Sequence, residues 1–134
     1  MTFISSEKII NCSWYEFERK IFRLLQHAGW TDLMFTSKSH DEGADLVGYP
    51  PKGNSFVIVQ CKHTRASSIG KRGIEDLIRA CQYYDTKKGI IATNAKLSSV
   101  ARDRKNEVKN QFNFLEWNLR RIGELGKNIS EYSS

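Results

Sequence analysis

The stretch HDEGADLVGYPPKGNSFVIVQCKH, residues 40–63, decides the fold. Two strand-like runs, residues 44–49 and 55–63, flank Pro50, Pro51, Lys52, Gly53 and Asn54. Pro presets its backbone angle, while Gly and Asn tolerate turn conformations, so the stretch predicts a hairpin. In the second run, alternation puts Phe56, Ile58, Gln60 and Lys62 on one face and Val57, Val59, Cys61 and His63 on the other. Both faces begin apolar, the pattern of a strand covered on two sides. Towards its end the first face turns polar, setting an amide and an ammonium two residues apart. Across the hairpin, Asp45 falls beside them. A carboxylate, an amide oxygen and a lysine at the end of a buried strand form a candidate hard-metal site. The competing structural reading makes Asp45 a turn residue and Lys62 a solvated charge.

The wording around these residues favours the site. Asp41-Glu42-Gly43-Ala44-Asp45-Leu46 followed by Val59-Gln60-Cys61-Lys62 resembles the PD-(D/E)xK nuclease superfamily, and more closely the catalytic domain of Mrr-type restriction endonucleases. Phe17-Glu18 matches that family's first-helix pair, and Thr93-Asn94 with Ser98–Ala101 matches a later segment. The resemblance covers about residues 14–120. Glu42 and Ala44 depart from the more usual residues around the first Asp, and Gln60 stands where the superfamily usually has Glu or Asp. The resemblance implies an α/β restriction-endonuclease-like fold, a mixed central sheet flanked by helices. It also implies a metal held by Asp45, the Gln60 side chain and the Cys61 backbone carbonyl, with Glu18 at the same site.

At 134 residues the chain is expected to form one domain, 1–134, large enough for its own core. With 40% hydrophobic and 27% charged residues, it has the composition of an ordinary globular protein. No apolar run approaches the roughly 20 residues a membrane helix needs, and no signal-peptide pattern is visible, so a cytoplasmic location away from membranes is expected. Cys12, Cys61 and Cys81 are odd in number, far apart and without a C-x-x-C pair. Reduced thiols are expected, rather than a disulfide or zinc framework.

The net charge of +6 is unevenly spread. Residues 1–60 hold 6 basic and 7 acidic side chains, and residues 61–134 hold 15 and 8. A basic half points to a polyanionic partner such as nucleic acid, or to a solubilising surface. His63, Arg65, Lys71 and Arg72, just beyond the hairpin, are the first candidates for DNA contact, and a basic helix with Arg102, Arg104, Lys105 and Lys109 is the second. His63 has an equally good structural role, because it faces away from Lys62.

Residues 1–12 read as an extended lead-in. Ser13 and Glu16 form a capping-box pattern. Trp14, Phe17, Ile21, Leu24, Leu25 and Ala28 follow at helical spacing, with Gly29 placed to stop the helix. Glu18 sits at the edge of this stripe, pointing either to solvent or into a polar site. A strand is expected at 33–37, then the hairpin, a polar loop at 67–73, and a helix marked by Ile74, Leu77, Ile78, Cys81 and Tyr84. A strand at 89–93, a basic helix at 98–109, a strand at 112–117, a short helix at 118–125 and a frayed polar tail complete the chain. Strand-helix-strand order implies a parallel pair. Trp14, Trp30 and Trp117 are expected in the core or at sheet edges.

Phosphodiester hydrolysis needs an activated water, a neutralised phosphate and a stabilised leaving oxygen, all of which a divalent metal can supply. Mg²⁺, with Mn²⁺ as a substitute, suits this oxygen-rich set. Asp45 is the expected central ligand and Gln60 a second one. Glu18 would hold a water or second ion, and Lys62 would orient the water or stabilise charge. The expected function is a Mg²⁺-dependent DNA endonuclease of restriction, mobile-element or structure-specific type. The alternatives are a Holliday-junction-type resolvase, an RNA-acting nuclease and a non-catalytic nucleic-acid-binding module on the same fold. Double-strand cutting requires two sites, so a homodimer or larger homo-oligomer is expected.

Overall fold

The computed structural model of the chain describes residues 13–36 and 45–133; the side chains of Trp14, Asp45 and residues 127–133 lie outside that description. The lead-in at 1–12, Cys12 and the Asp41–Ala44 part of the motif therefore fall outside the described residues. The elements run α1 (Trp14–His27), β1 (Thr31–Phe35), β2 (Asp45–Tyr49), β3 (Val57–Lys62), α2 (Lys71–Tyr83), β4 (Lys88–Thr93), α3 (Ser99–Glu107), β5 (Asn113–Trp117) and α4 (Leu119–Ser133). The expected order is reproduced element by element.

The five strands lie side by side in chain order. β1, β2 and β3 pair antiparallel, and β3, β4 and β5 pair parallel. The hairpin closes through Gly53 N–H donating to the Pro50 carbonyl at 3.0 Å, and the positive φ falls on Lys52 at 61°. Each parallel connection passes through a helix, α2 between β3 and β4 and α3 between β4 and β5.

Alternation along the strands builds two cores. Phe17, Ile21, Leu24 and Leu25 of α1 and Ile122 of α4 bury against Leu46, Val57, Val59, Cys61, Ile90, Ala92 and Trp117. On the other face Ile74, Leu77, Ile78 and Cys81 of α2 and Ala101 of α3 bury against Val47, Ile58, Ile91 and Phe114. The sheet is thus the middle of three layers. Cys61 and Cys81 are buried in different layers. Trp117 lies in the first core and Trp30 packs at its margin.

The capping box forms as read: Glu16 N–H donates to Ser13 Oγ at 3.1 Å, and Ser13 N–H donates to Glu16 Oε1 at 3.0 Å. The Ser13 backbone N–H, then its hydroxyl, hold the Glu16 carboxyl below its ordinary value. This stabilisation is present above the ordinary carboxylate range and is lost as pH falls through the lowered value. Gly29 ends the helix at φ +94°.

Boundaries differ where tertiary pairing overrides local pattern. β1 starts two residues before the expected 33, because Thr31 pairs with Tyr49 across an irregular register that carries Asp32 at φ 54°. The expected loop at 67–73 gives up Lys71, Arg72 and Gly73 to α2. Gly73 is buried there, and a Cβ on it would stand 2.6 Å from Ile69 Cγ2. The final helix runs to Ser133 rather than ending at 125.

At Gly89 a side chain of α2 packs directly onto the backbone of β4. A Cβ at Gly89 would lie 2.8–3.0 Å from three side-chain carbons of the fully buried Leu77. Gly89→Ala should therefore overpack this contact and lower unfolding free energy by ~1–3 kcal/mol, less a few tenths regained from the stiffer unfolded chain. Urea melts of the variant check this, and an unchanged midpoint would show that Leu77 moves aside at no cost.

Candidate functional site

β3 is roofed on both faces from Val57 to Cys61, so polar side chains can gather only where it ends. The β2–β3 register sets Asp45 directly opposite Gln60. Lys62 follows one pleat further and pairs in register with Thr93 of β4. The hairpin therefore brings Asp45, Gln60 and Lys62 together along the backbone, as the sequence predicts.

Gln60 is only 4% exposed, and its Oε1 is buried with no hydrogen-bond partner among the described residues. A buried amide oxygen left bare costs about 1–3 kcal/mol. An oxygen in that condition fits a hard-cation ligand, which would supply the missing partner. Cys61 is buried in the first core, on the face of β3 opposite Gln60. Among the described residues no group of three or more His, Cys, Asp or Glu side chains forms a metal cluster.

Glu18 is 4% exposed. It rides on α1, which covers the Val57/Val59/Cys61 face, whereas Gln60 and Lys62 belong to the face covered by α2. The residue before it, Phe17, meets the His63 ring at 5.4 Å, so this part of α1 lies at the end of β3. His63 is thus half-buried against Phe17, on the side opposite Lys62, as its place in the alternation requires.

Lys62 is not solvated. Its Nζ lies 3.0 Å from Asp76 Oδ2 on α2, with the two side chains 10% and 20% exposed. The other oxygen of Asp76 accepts from Arg79. Asp76 is the residue that sequence reasoning missed. The available signal was a carboxylate bordering the Ile74/Leu77/Ile78 stripe, on the helix bound to cover the Gln60 face.

The loops beyond β3 and β4 are fastened together. Asn94 Oδ1 accepts from Thr64 N–H at 2.9 Å, and Asn94 Nδ2 donates to the Thr64 carbonyl at 2.7 Å. Ile69 N–H donates to Lys96 O at 2.7 Å, and Ser98 N–H to Ile69 O at 2.9 Å. Ser98 Oγ accepts from Ala101 N–H at 3.1 Å and caps α3, while Ala101 is buried beneath it. Thr93-Asn94 thus joins the two loops, and Ser98–Ala101 opens α3 just after them.

Arg65, Lys71 and Arg72 are exposed. Lys71 and Arg72 occupy the first turn of α2, whose N-cap, Gly70, makes no side-chain cap. Cations at a helix N-terminus are electrostatically disfavoured, so α2 itself gains nothing from their placement there. In the second basic candidate, Arg104 is bound by Glu75 and Glu107, which raise its guanidinium above the ordinary value. Arg102, Lys105 and Lys109 line a cleft of about 490 Å³ above Phe112 and Phe114.

A family model of the Mrr catalytic domain, described as restriction endonuclease, matches residues 9–116. No curated protein is a significant match. Among solved structures, EndoMS in apo form is similar with a TM-score of 0.60 at 17% identity, over 81% of this chain and 46% of that one. The DNA modification-dependent restriction endonuclease AspBHI is similar with a TM-score of 0.60 at 15% identity, over 95% of this chain and 35% of that one. A protein of unknown function is similar with a TM-score of 0.57 at 15% identity, over 84% and 66%. The chain spans less than two thirds of each of these proteins, and at such identities the likeness shows the fold.

Asn94→Ala should leave both backbone groups of Thr64 without their partner and destabilise the chain by ~1–3 kcal/mol. The Thr64 amide should lose hydrogen-exchange protection before the β3 and β4 amides do. Uniform loss across the sheet would show that the clamp belongs to the global core.

Proposed function

The chain belongs to the restriction endonuclease family of the Mrr catalytic domain, and on that premise we propose that it is a metal-dependent endonuclease hydrolysing DNA phosphodiester bonds. The observation that carries this reading is the buried Oε1 of Gln60, without a hydrogen-bond partner among the described residues, opposite Asp45 and one pleat from Lys62. Asp45, Gln60 Oε1 and the Cys61 carbonyl would hold Mg²⁺ or Mn²⁺. When bound, such an ion supplies charge neutralisation at the phosphate and activation of water.

The chain's own groups do the rest. Gln60 contributes an oxygen without a charge, so the ligand set is less negative than one with Glu or Asp. Lys62 presents an ammonium at the strand's end, where negative charge builds on the phosphoryl oxygens. Glu18 orders a water, or a second ion, from the α1 side. Two such sites on a homodimer, or on a larger homo-oligomer, would cut both strands. Arg65, Lys71 and Arg72 contact backbone phosphates, with His63 at the edge of that surface.

Gln60→Glu is nearly isosteric and places a full negative charge beside the cation. Mg²⁺ should bind more tightly by about tenfold, equivalent to ~1.4 kcal/mol, and thermal melts should show a larger Mg²⁺-induced rise than wild type. Gln60→Ala should weaken both metal binding and cleavage, and Asp45→Ala should abolish cleavage while the fold persists. A Glu variant that melts early with or without Mg²⁺, and gains no metal affinity, would defeat the ligand assignment.

Replacing Arg65, Lys71 and Arg72 together by Ala should weaken binding to all duplex sequences alike. The slope of log K against log salt should shrink by about 0.9 for each phosphate no longer neutralised. Thermal stability should hold or rise slightly, since two cations leave the positive end of α2. An unchanged slope would move the DNA surface to the Arg102, Lys105 and Lys109 cleft.

A further inference from the structure

Lys62 carries a side chain with four rotatable bonds, and such an ammonium serves a reacting phosphate only if it is held. The described contacts hold it through one carboxylate. Asp76 Oδ2 stands 3.0 Å from Lys62 Nζ, and Asp76 Oδ1 accepts from Arg79 one turn along α2. The division of the two oxygens fixes the carboxylate plane, because each cation restrains one of them. Arg79 is exposed, whereas Lys62 and Asp76 are nearly buried, so the inner contact is the less screened of the two. Asp76 itself is anchored by its neighbours, since Ile74, Leu77 and Ile78 are buried against the sheet face that Gln60 and Lys62 share.

We propose that Asp76 is a positioning residue for Lys62, setting the ammonium's direction at the end of β3 without itself touching the substrate. The proposal rests on the nuclease reading given above. It does not make Asp76 a metal ligand, because both its oxygens already face cations. It also opposes a second possibility for the same contact, in which Asp76 sequesters Lys62 and must release it before reaction. The two differ in sign. A positioning contact raises turnover, and a sequestering contact lowers it.

The test measures cleavage, DNA affinity and melting for Asp76→Asn, Asp76→Glu, Lys62→Met and the Lys62→Met/Asp76→Asn double variant, at saturating Mg²⁺. A misdirected catalytic group costs turnover about 10- to 100-fold. Asp76→Asn should therefore lose kcat on that scale while its DNA affinity in EDTA and half-saturating Mg²⁺ stay within about twofold. Asp76→Glu, which keeps the charge and shifts its reach, should recover part of the loss. The double variant should cleave no worse than Lys62→Met alone, because Asp76 acts only through Lys62. A further loss in the double variant overturns the proposal, as does an Asp76→Asn enzyme that cleaves as fast as wild type or faster. Wild-type cleavage by Lys62→Met, or no cleavage by the wild-type chain, would instead overturn the nuclease reading of this site. In that case the role of Asp76 falls with it.

Discussion

The structure depends on a strand that is covered on both faces and still carries a polar side chain. β3 pairs antiparallel with β2 on one side and parallel with β4 on the other, and helices roof both of its surfaces. Such a strand tolerates only apolar or fully partnered side chains before its last residue. Val57, Ile58, Val59 and Cys61 comply, and Gln60 does not, since its oxygen has no hydrogen-bond partner among the described residues. An amide that violates the packing rule in the centre of a sheet is the kind of exception that functional sites carry.

The surrounding elements follow from where β3 stops. β3 and β4 run parallel, so their carboxyl ends and the loops after them emerge at one end of the sheet. Those loops are stitched by Asn94 to Thr64 and by the Ile69–Leu97 bridge, and the second is tied to β5 through Leu97 N–H donating to Glu116 at 3.1 Å. The stitching fixes the start of α2 relative to the end of β3. It therefore fixes the place from which Asp76 meets Lys62 and at which Lys71 and Arg72 face outward.

The legibility of all this in the sequence divides along physical lines. The hairpin, the two faces of β3 and the capping box are readable because they rest on short-range periodicity and on residues three apart. The Asp45–Gln60 pairing is readable because a hairpin with its turn at 50–54 leaves little choice of register. The start of β1 is hidden because Thr31 and Asp32 carry no apolar signal, and only pairing with Tyr49 draws them into the sheet. The end of α4 is hidden because the segment after Leu125 is polar. The Lys62–Asp76 contact joins residues 14 apart on different elements, and no local pattern encodes it. The Asn94 clamp spans 30 residues, so Thr93-Asn94 can be recognised as a motif without its purpose being visible.

Gln60 and Asp76 bear on one question, the charge balance at Lys62. Where a carboxylate stands two residues before the lysine, the strand itself supplies an anion to the ammonium. Here position 60 is neutral, and the counter-charge to the nearly buried Lys62 comes from another element. Asp76 supplies that charge from α2 at 3.0 Å, and its other oxygen meets Arg79. The counter-charge to Lys62 thus sits on a different element from Gln60. In the proposed site Gln60 is left to serve the cation, and the ammonium is directed from another element. A substitution at position 60 and one at position 76 should therefore act on different variables, metal affinity and turnover, although both residues lie beside the same lysine.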